Sequence, residues 1–439
     1  MRGWCRVKLM RDLLRTPRGT RDWLPEEAAV KRMVEERIRA VFELYGYGEV
    51  CTPAFEHLEL LVAKAGEEVV KQIYNFKDKG GRELGLRFEL TTPIARIVAS
   101  RPDLPKPIRF YYISPVWRYE EPQRGRLREF WQAGIELIGV EGPEGDAEVI
   151  AVAYEALRSA GLANFEVRLN DREVVEDLVA SAGIHENRVP EALRVLDKLE
   201  RFGEEYVVKE LEKLGASTEA AQKLVERLKD GLEDFEPKSE KGERGLKRLQ
   251  EILDLLKSAY HVDAQIDLAI VRGLGYYTST VFEVKTPLVE VGSVAGGGRY
   301  DDLISSLGGP RLPATGMAIG IERVLEVLKA SGSVQTRKTT EVHVLPIAGD
   351  KNVLAYALQA AGELRRLGVR TIVEYSQRSL SKMLEKALKA GARFAVIVGP
   401  SEISSSVVTI RDLEAREEFK LPIDRAASFI KSRMESMQA

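Results

Sequence analysis

Four arginines, Arg118, Arg124, Arg126 and Arg128, fall within eleven residues of the segment WRYEEPQRGRLREFWQAGIEL (117–137). Guanidinium groups grip phosphate oxygens through planar, two-pronged hydrogen bonds, so this density of arginine beside a strand suits a triphosphate. Glu120 and Glu121 interleave with them, and a solvated hairpin that neutralises its own charge has the same composition. The residues that follow alternate. On an extended strand Gln132, Gly134 and Glu136 share one face, with Trp131, Ala133, Ile135 and Leu137 on the other. The first face offers an amide, a gap and a carboxylate to something small and polar. A solvent-facing strand is the alternative, and the absence of lysine and threonine from that face weighs against it.

Three further segments carry chemistry. In LRFELTTPIARIV (86–98), Glu89 and Thr91 share a strand face just before Pro93, which is expected to open a helix. A carboxylate beside a hydroxyl holds an ammonium group, or else caps the helix. In VAGGGRYDDL (294–303), Gly297 and Gly298 before Arg299 and Tyr300 are candidates for a pocket floor, since glycines let a backbone come close to a ligand; a plain turn explains them too. Arg272 stands as an isolated cation in IVRGLGYYTSTVFEV (270–284), ahead of Tyr276 and Tyr277, and calls for an anionic partner. Arg323 in GMAIGIERVLEVL falls in the first turn of an amphipathic helix, off its apolar face. There it adds charge to a helix N-terminus that already favours anions, with solvated helix surface as the alternative.

The elements that position these residues follow from periodicity. Val30, Met33, Val34, Ile38, Val41, Phe42 and Tyr45 recur at helical spacing until Gly46. Residues 47–55 read as a strand interrupted by Pro53, and 108–117 with 131–138 as a long hairpin whose arginine-rich loop is mobile. Residues 171–260 are charged and helix-forming; strand patterns resume over 264–270 and 280–284, and 313–328 runs from strand into helix. The polar stretch 331–341 is the linker candidate. Beyond it strands and helices alternate, which predicts a small α/β domain with a mostly parallel sheet.

A chain of 439 residues is too long for one ordinary core, so two or three domains are expected. Sixty-six basic residues against 68 acidic ones leave a net charge of −2, which argues against a protein that coats nucleic acid over its whole surface. Cys5, Cys51 and four scattered histidines offer neither a zinc spacing nor a disulfide framework, so no metal site is expected and a reducing cytoplasm is the default. No apolar run approaches the ~18 residues of a membrane span, and the basic opening lacks the apolar core of a secretory signal.

Together these segments resemble the histidyl-tRNA synthetases over roughly residues 16–425. PRGTRDWLP (17–25) looks like that family's amino-terminal signature. The helix at 26–45 with EVCTPAFE resembles motif 1 of the class II synthetases; 117–136 resembles motif 2 and GMAIGIERV motif 3. RGLGYYTSTVFE and AGGGRYDDL resemble the two histidine-specific motifs, which add the amino acid to the class. The resemblance implies an α+β fold. A class II antiparallel-sheet catalytic domain (16–170 and 261–330) is interrupted by a helical insertion at 171–260, after an extension at 1–15. A linker at 331–340 then leads to a C-terminal α/β anticodon-binding domain at 341–439.

By the same resemblance ATP lies against Arg118, Glu120, Arg126 and Arg323, and histidine against Glu89, Thr91, Gln132, Glu136, Arg272, Tyr276, Tyr277 and Tyr300. Arg272, Arg118 and Arg323 would carry the chemistry, with Mg2+ on the phosphates and no metal held by protein ligands alone. The partners implied are L-histidine, ATP, histidine tRNA and a second copy of the chain, in the cytoplasm and away from membranes. Two positions depart from the family pattern: Gly275 stands where aspartate is usual and Phe88 where proline is usual. Three rivals exist: a non-catalytic synthetase-like regulator of histidine biosynthesis, a class II synthetase for another amino acid, and an RNA-binding protein without catalysis. The first normally lacks the domain beyond 341, the histidine motifs disfavour the second, and Arg118, Arg272 and Arg323 disfavour the third.

Overall fold

A computed structural model describes residues 13–63, 70–232, 235–271, 275–333, 341–347, 350–376 and 378–435. Arg272, most of the expected linker and the extension through residue 12 lie outside the described residues. The chain separates into two compact units, Met1–Asp22 with Lys31–Val334, and Trp23–Val30 with Gln335–Ala439.

The strands of the first unit are β1 (Gly48–Glu49), β2 (Phe55–His57), β3 (Asn75–Lys77), β4 (Glu83–Leu86), β5 (Ile108–Trp117), β6 (Glu129–Ile138), β7 (Glu166–Asp171), β8 (Ala264–Ile266), β9 (Thr280–Lys285), β10 (Ala295–Arg299) and β11 (Ala314–Gly320). Eight of them form one sheet in the order β1-β5-β6-β11-β10-β9-β7-β8. Its interior is antiparallel, as expected, but each edge is a parallel pair, β1 on β5 and β8 on β7. The hairpin β5–β6 is the longest ladder, from Ile108↔Ile138 to Trp117↔Glu129. The expected strand over 47–55, interrupted at Pro53, becomes β1 at its start and the first residue of β2, Phe55, at its end, with no strand between them around the proline, which lacks a ladder N–H. The glycine run forms neither a turn nor a loop. It is the buried central strand β10, between β9 and β11.

Helix Pro143–Ala160 covers one face of the sheet with Val149, Ile150, Val152 and Leu157 fully buried. Its ends have the expected chemistry, proline at the first turn and Gly161 left-handed at φ 106° after the last. The described residues of 172–259 are mostly helical, and three of the helices open on Asp171, Ser217 and Ser239, whose side chains accept from the amides of Glu173, Ala220 and Gly242. Strands β2, β4 and β3 form a small separate sheet. Phe88, the departure from the family pattern, is buried in the cluster beside it with Leu61 and Ile73.

The second unit holds β12 (Val342–Pro346), β13 (Thr371–Val373), β14 (Phe394–Val398), β15 (Val408–Asp412) and β16 (Glu418–Leu421), in the order β13-β12-β14-β15-β16. Only its first three strands are parallel. The other two are an antiparallel hairpin on β14, so the sheet is mixed where a mostly parallel one was expected. The helices Lys351–Arg366 and Ile423–Glu435 bury Val353, Leu364 and Ile430 in a core with Val344, Phe394 and Ile410.

Candidate functional site

Strands β5, β6, β11 and β10 lie side by side, and on their shared face is a small pocket. Its wall includes Glu89, Thr91, Arg118, Gln132, Tyr276, Tyr277 and Tyr300. These are seven of the residues picked from the sequence. Glu136 lies beneath them, wholly buried. Its Oε1 accepts from the Thr91 hydroxyl at 2.7 Å and the Tyr112 hydroxyl at 3.4 Å, and Oε2 accepts from the Tyr300 hydroxyl. Burial pushes the Glu136 carboxyl up to about 8, although the hydroxyls of Tyr300 and Thr91 pull the other way. Room for this carboxylate comes from Gly316, where any side chain would run into its Oε2.

The solvent-facing reading of β6 is excluded, since residues 133–138 are buried on both faces. Gly134 pairs with Tyr112 of β5, and a side chain at 134 would strike the tyrosine ring. Tyr112 is a pocket residue that sequence reasoning missed. Its signal was the gap itself, a glycine between Gln132 and Glu136 that a neighbouring strand must fill. Gln132 Oε1 is buried and has no hydrogen-bond partner among the described residues. It is an acceptor suited to a cationic donor such as an ammonium group.

Glu89 and Thr91 do not share a strand face. The helix Thr91–Ser100 begins two residues ahead of Pro93, and the Glu89 carboxylate accepts from the amides of Thr91 at 2.5 Å and Thr92 at 2.9 Å. Glu89 thus satisfies the first amides of the helix and also lines the pocket. Burial raises the Glu89 carboxyl, opposed by these bonds. Arg118 is placed by its Nε, which donates to the Phe88 carbonyl at 2.9 Å, and by its guanidinium over the Phe130 ring at 5.2 Å. Burial lowers its pKa while Glu120 and Glu89 support the charged form. The Tyr276 ring lies 4.9 Å from that of Tyr277 and 5.9 Å from that of Tyr300.

Other expected contacts do not reach this pocket wall. Arg126 is ion-paired with Glu120, and Arg124 with Glu326 of the helix Ile321–Ala330 at 3.0 Å. Arg128 stacks on Tyr119 with its guanidinium 4.1 Å from the ring centroid. Within the hairpin loop only the Arg126–Glu120 pair is self-neutralising among the described residues; Arg124 and Glu121 take partners from elsewhere in the chain. Arg323, in the first turn of its helix, donates to the Ser293 carbonyl. Arg299 is no part of the floor: it turns to the opposite side of the sheet, bonding the carbonyls of Val140 and Gly142 and the Asp146 carboxylate. Of the three glycines it is Gly296 that lines the pocket.

The family model for histidyl-tRNA synthetase matches residues 19–324, and that for an anticodon binding domain matches residues 341–433. A histidine–tRNA ligase of Pyrococcus abyssi is 42% identical over 427 residues, which is 94% of this chain and 98% of that protein. The crystal structure of a histidyl-tRNA synthetase from Nostoc superposes with a TM-score of 0.77 at 29% identity, over 96% of this chain and 99% of that one. A structure from Bacillus halodurans described as an ATP phosphoribosyltransferase regulatory subunit/histidyl-tRNA synthetase gives 0.71 at 27% identity, over 88% of this chain and 98% of that one. Motifs, sheet and pocket agree with these matches along nearly the whole length, and the chain belongs to the histidyl-tRNA synthetase family.

Proposed function

We infer that the chain is a histidine–tRNA ligase, forming histidyl adenylate from histidine and ATP and passing the histidyl group to the 3′ end of histidine tRNA. One observation carries this reading: a wholly buried carboxylate, Glu136, is bonded to the Thr91 and Tyr300 hydroxyls beneath a pocket whose wall also holds the half-buried Arg118. Glu136 with Tyr277 reads the imidazole and Tyr300 lines the same pocket. Glu89, Thr91 and Gln132 receive the α-amino group, with Tyr276 packed beside them. The histidine carboxylate, already ionised, attacks the α-phosphorus of ATP; its bond to oxygen forms as that to pyrophosphate breaks, and no general base is required. Two anions must meet, so the work is electrostatic. Arg118 and Arg323 hold the phosphates, with Glu120 and Arg126 near the nucleotide, and Arg272 spans the α-phosphate and the histidine carboxylate.

Mg2+ supplies charge neutralisation on the phosphates. Residues 171–260 form the insertion within a catalytic domain of 16–170 and 261–330, and 341–439 reads the anticodon. In the second unit a groove lined by Arg378, Lys382, Lys386 and Lys389, with Glu385 as its one acid, suits a phosphodiester backbone.

The working form is a homodimer through the motif 1 region, in the cytoplasm. The Phe55 and Phe76 rings, 6.1 Å apart and 51% and 43% exposed, are apolar surface suited to such a contact. No described helix is long and apolar enough to cross a membrane. The regulatory paralogue is disfavoured by the domain at 341–433. ATP–pyrophosphate exchange with each of the twenty amino acids tests the reading. Exchange with histidine alone is expected; none with histidine, or comparable exchange with glutamine or asparagine, overturns it. Light scattering showing a fully active species of 49.1 kDa would sink the dimer.

A further inference from the structure

Glu322 is a second carboxylate taken out of water, only 5% exposed, and the chemistry above does not use it. It is the second residue of the helix Ile321–Ala330, immediately before Arg323. Strands β11 and β6 pair from Ala314↔Ile138 to Gly320↔Gln132. At Ile321 the chain turns into helix, so β11 has no further carbonyl for the amide of Trp131, the next residue along β6. The Glu322 carboxylate stands in for it, with Oε2 2.9 Å and Oε1 3.2 Å from the Trp131 nitrogen. The residue opposite Trp131 on β5 is Pro115.

The Trp131 amide is half-buried at the end of the ladder, where a donor without an acceptor is costly, so this bond ties the helix start to β6. The indole of the same residue is covered by Lys31, whose Nζ lies 3.3 Å from the ring centroid and which pairs with Glu35. Burial raises the Glu322 carboxyl to about 7; the Trp131 amide and Lys31 oppose the rise and Glu35 adds to it.

Gln132 and Arg323 flank this contact, one step along the strand and one along the helix. We propose that Glu322 is a positioning residue for adenylate formation: its carboxylate locks the helix that presents Arg323 to the nucleotide onto the strand that presents Gln132 to the amino acid. The proposal rests on the activity inferred above. Strand β6 is held by its ladders on both sides, to β5 and to β11, so Gln132 stays in place without Glu322 and the helix start is what shifts. The Arg124–Glu326 ion pair ties the hairpin to the same helix independently.

The test uses the full chain. Wild-type pyrophosphate exchange with histidine checks the activity by itself, and its absence would overturn the activity and this role together. Given that activity, Glu322→Ala is expected to lower kcat for exchange about tenfold to a hundredfold, the scale on which small misplacements act. It should also raise the KM for ATP, while the histidine Kd from equilibrium dialysis stays within about twofold, because the ladders that hold Gln132 are untouched. Glu322→Gln keeps a carbonyl oxygen for the Trp131 amide and should stay within about threefold of wild type, since the acceptor position is what matters. Should the alanine variant fail to fold, Glu322→Asp replaces it, one methylene too short for the same reach and expected to lose kcat likewise. Wild-type kcat in the alanine or aspartate variant, a loss that glutamine does not rescue, or histidine binding weakened as much as kcat would each overturn the proposal.

Discussion

The pocket on the large sheet and the basic groove of the second unit both handle charge, by opposite means. Glu136 is wholly buried and each of its oxygens is bonded to a neighbouring hydroxyl. In the groove Lys386 pairs with Glu374 at 2.7 Å and Lys389 with Glu385 at 2.6 Å, and Tyr375 beside it is 69% exposed. A desolvated group discriminates, because a ligand that fails to match it leaves a buried polar atom unpaired. Solvated cations attract any polyanion, and salt screens them. A small amino acid must be chosen by the first device. A long nucleic acid, with many phosphates to touch, suits the second.

The largest effect should come from removing charge inside the pocket. Arg118→Ala is expected to cost ~3–4 kcal/mol of transition-state stabilisation, about two to three decades in kcat for pyrophosphate exchange. Arg272→Ala should lose about as much, far more than it weakens histidine binding. A loss under about threefold in either variant would move that arginine away from the reacting phosphate.

Glu136 sharpens the contrast through pH. Its native carboxyl titrates near 8, above the ordinary 4.5, so between these values the folded protein holds a proton that the unfolded chain does not. Its contribution to stability is therefore present at low pH and lost as pH rises through about 8. A histidine whose imidazole N–H donates to Glu136 needs the carboxylate, so binding expels the proton. Affinity should then rise about fivefold between pH 7 and 8, with proton release measurable by calorimetry in buffers of different ionisation enthalpy. Glu136→Gln should abolish both and weaken histidine binding by roughly two decades. An unchanged pH profile in that variant would remove Glu136 from imidazole recognition.

The groove should respond more gently and in a different assay. Lys382→Ala with Lys389→Ala is expected to raise the KM for tRNA about three- to tenfold and to flatten its salt dependence by about one to two contacts. Pyrophosphate exchange should stay at the wild-type rate. Exchange that falls along with charging would break the separation of the two sites.

What the sequence made legible divides by range. The β5–β6 hairpin was read from alternation and turn residues, and the helix after β11 from its apolar face, because each signal is local. Helix Pro143–Ala160 passed unnoticed although Pro143 and Gly161 punctuate it. Buried on many sides, it lacks a clean polar stripe. The glycines of β10 read as a pocket floor or a plain turn, and not as a central strand, because close approach to a neighbouring strand and to a ligand demand the same residue. The side of the sheet from which Arg299 leaves is not legible either: the sequence names the cation and not its direction. Tyr112 needed the β5–β6 register, and Glu322 needed to be seen where a ladder ends. Both are facts of pairing between distant segments.

The smallest effect is expected at Gly275, where aspartate is usual in the family. Gly275 is exposed, whereas Tyr276 and Tyr277 beside it are buried in the pocket wall. The carboxylate assigned to the imidazole is Glu136, and it has its full set of hydroxyl partners without an aspartate at 275. A charge added at an exposed position acts through high dielectric and is worth little, about 1 kcal/mol or less even at 4 Å. Gly275→Asp should therefore change kcat/KM for histidine by less than about threefold and leave the rejection of glutamine and asparagine intact. A tenfold gain in histidine affinity would show that the glycine leaves recognition incomplete and that Glu136 does not suffice. Comparable exchange with glutamine in the wild type, abolished by the aspartate, would reveal the same gap through specificity.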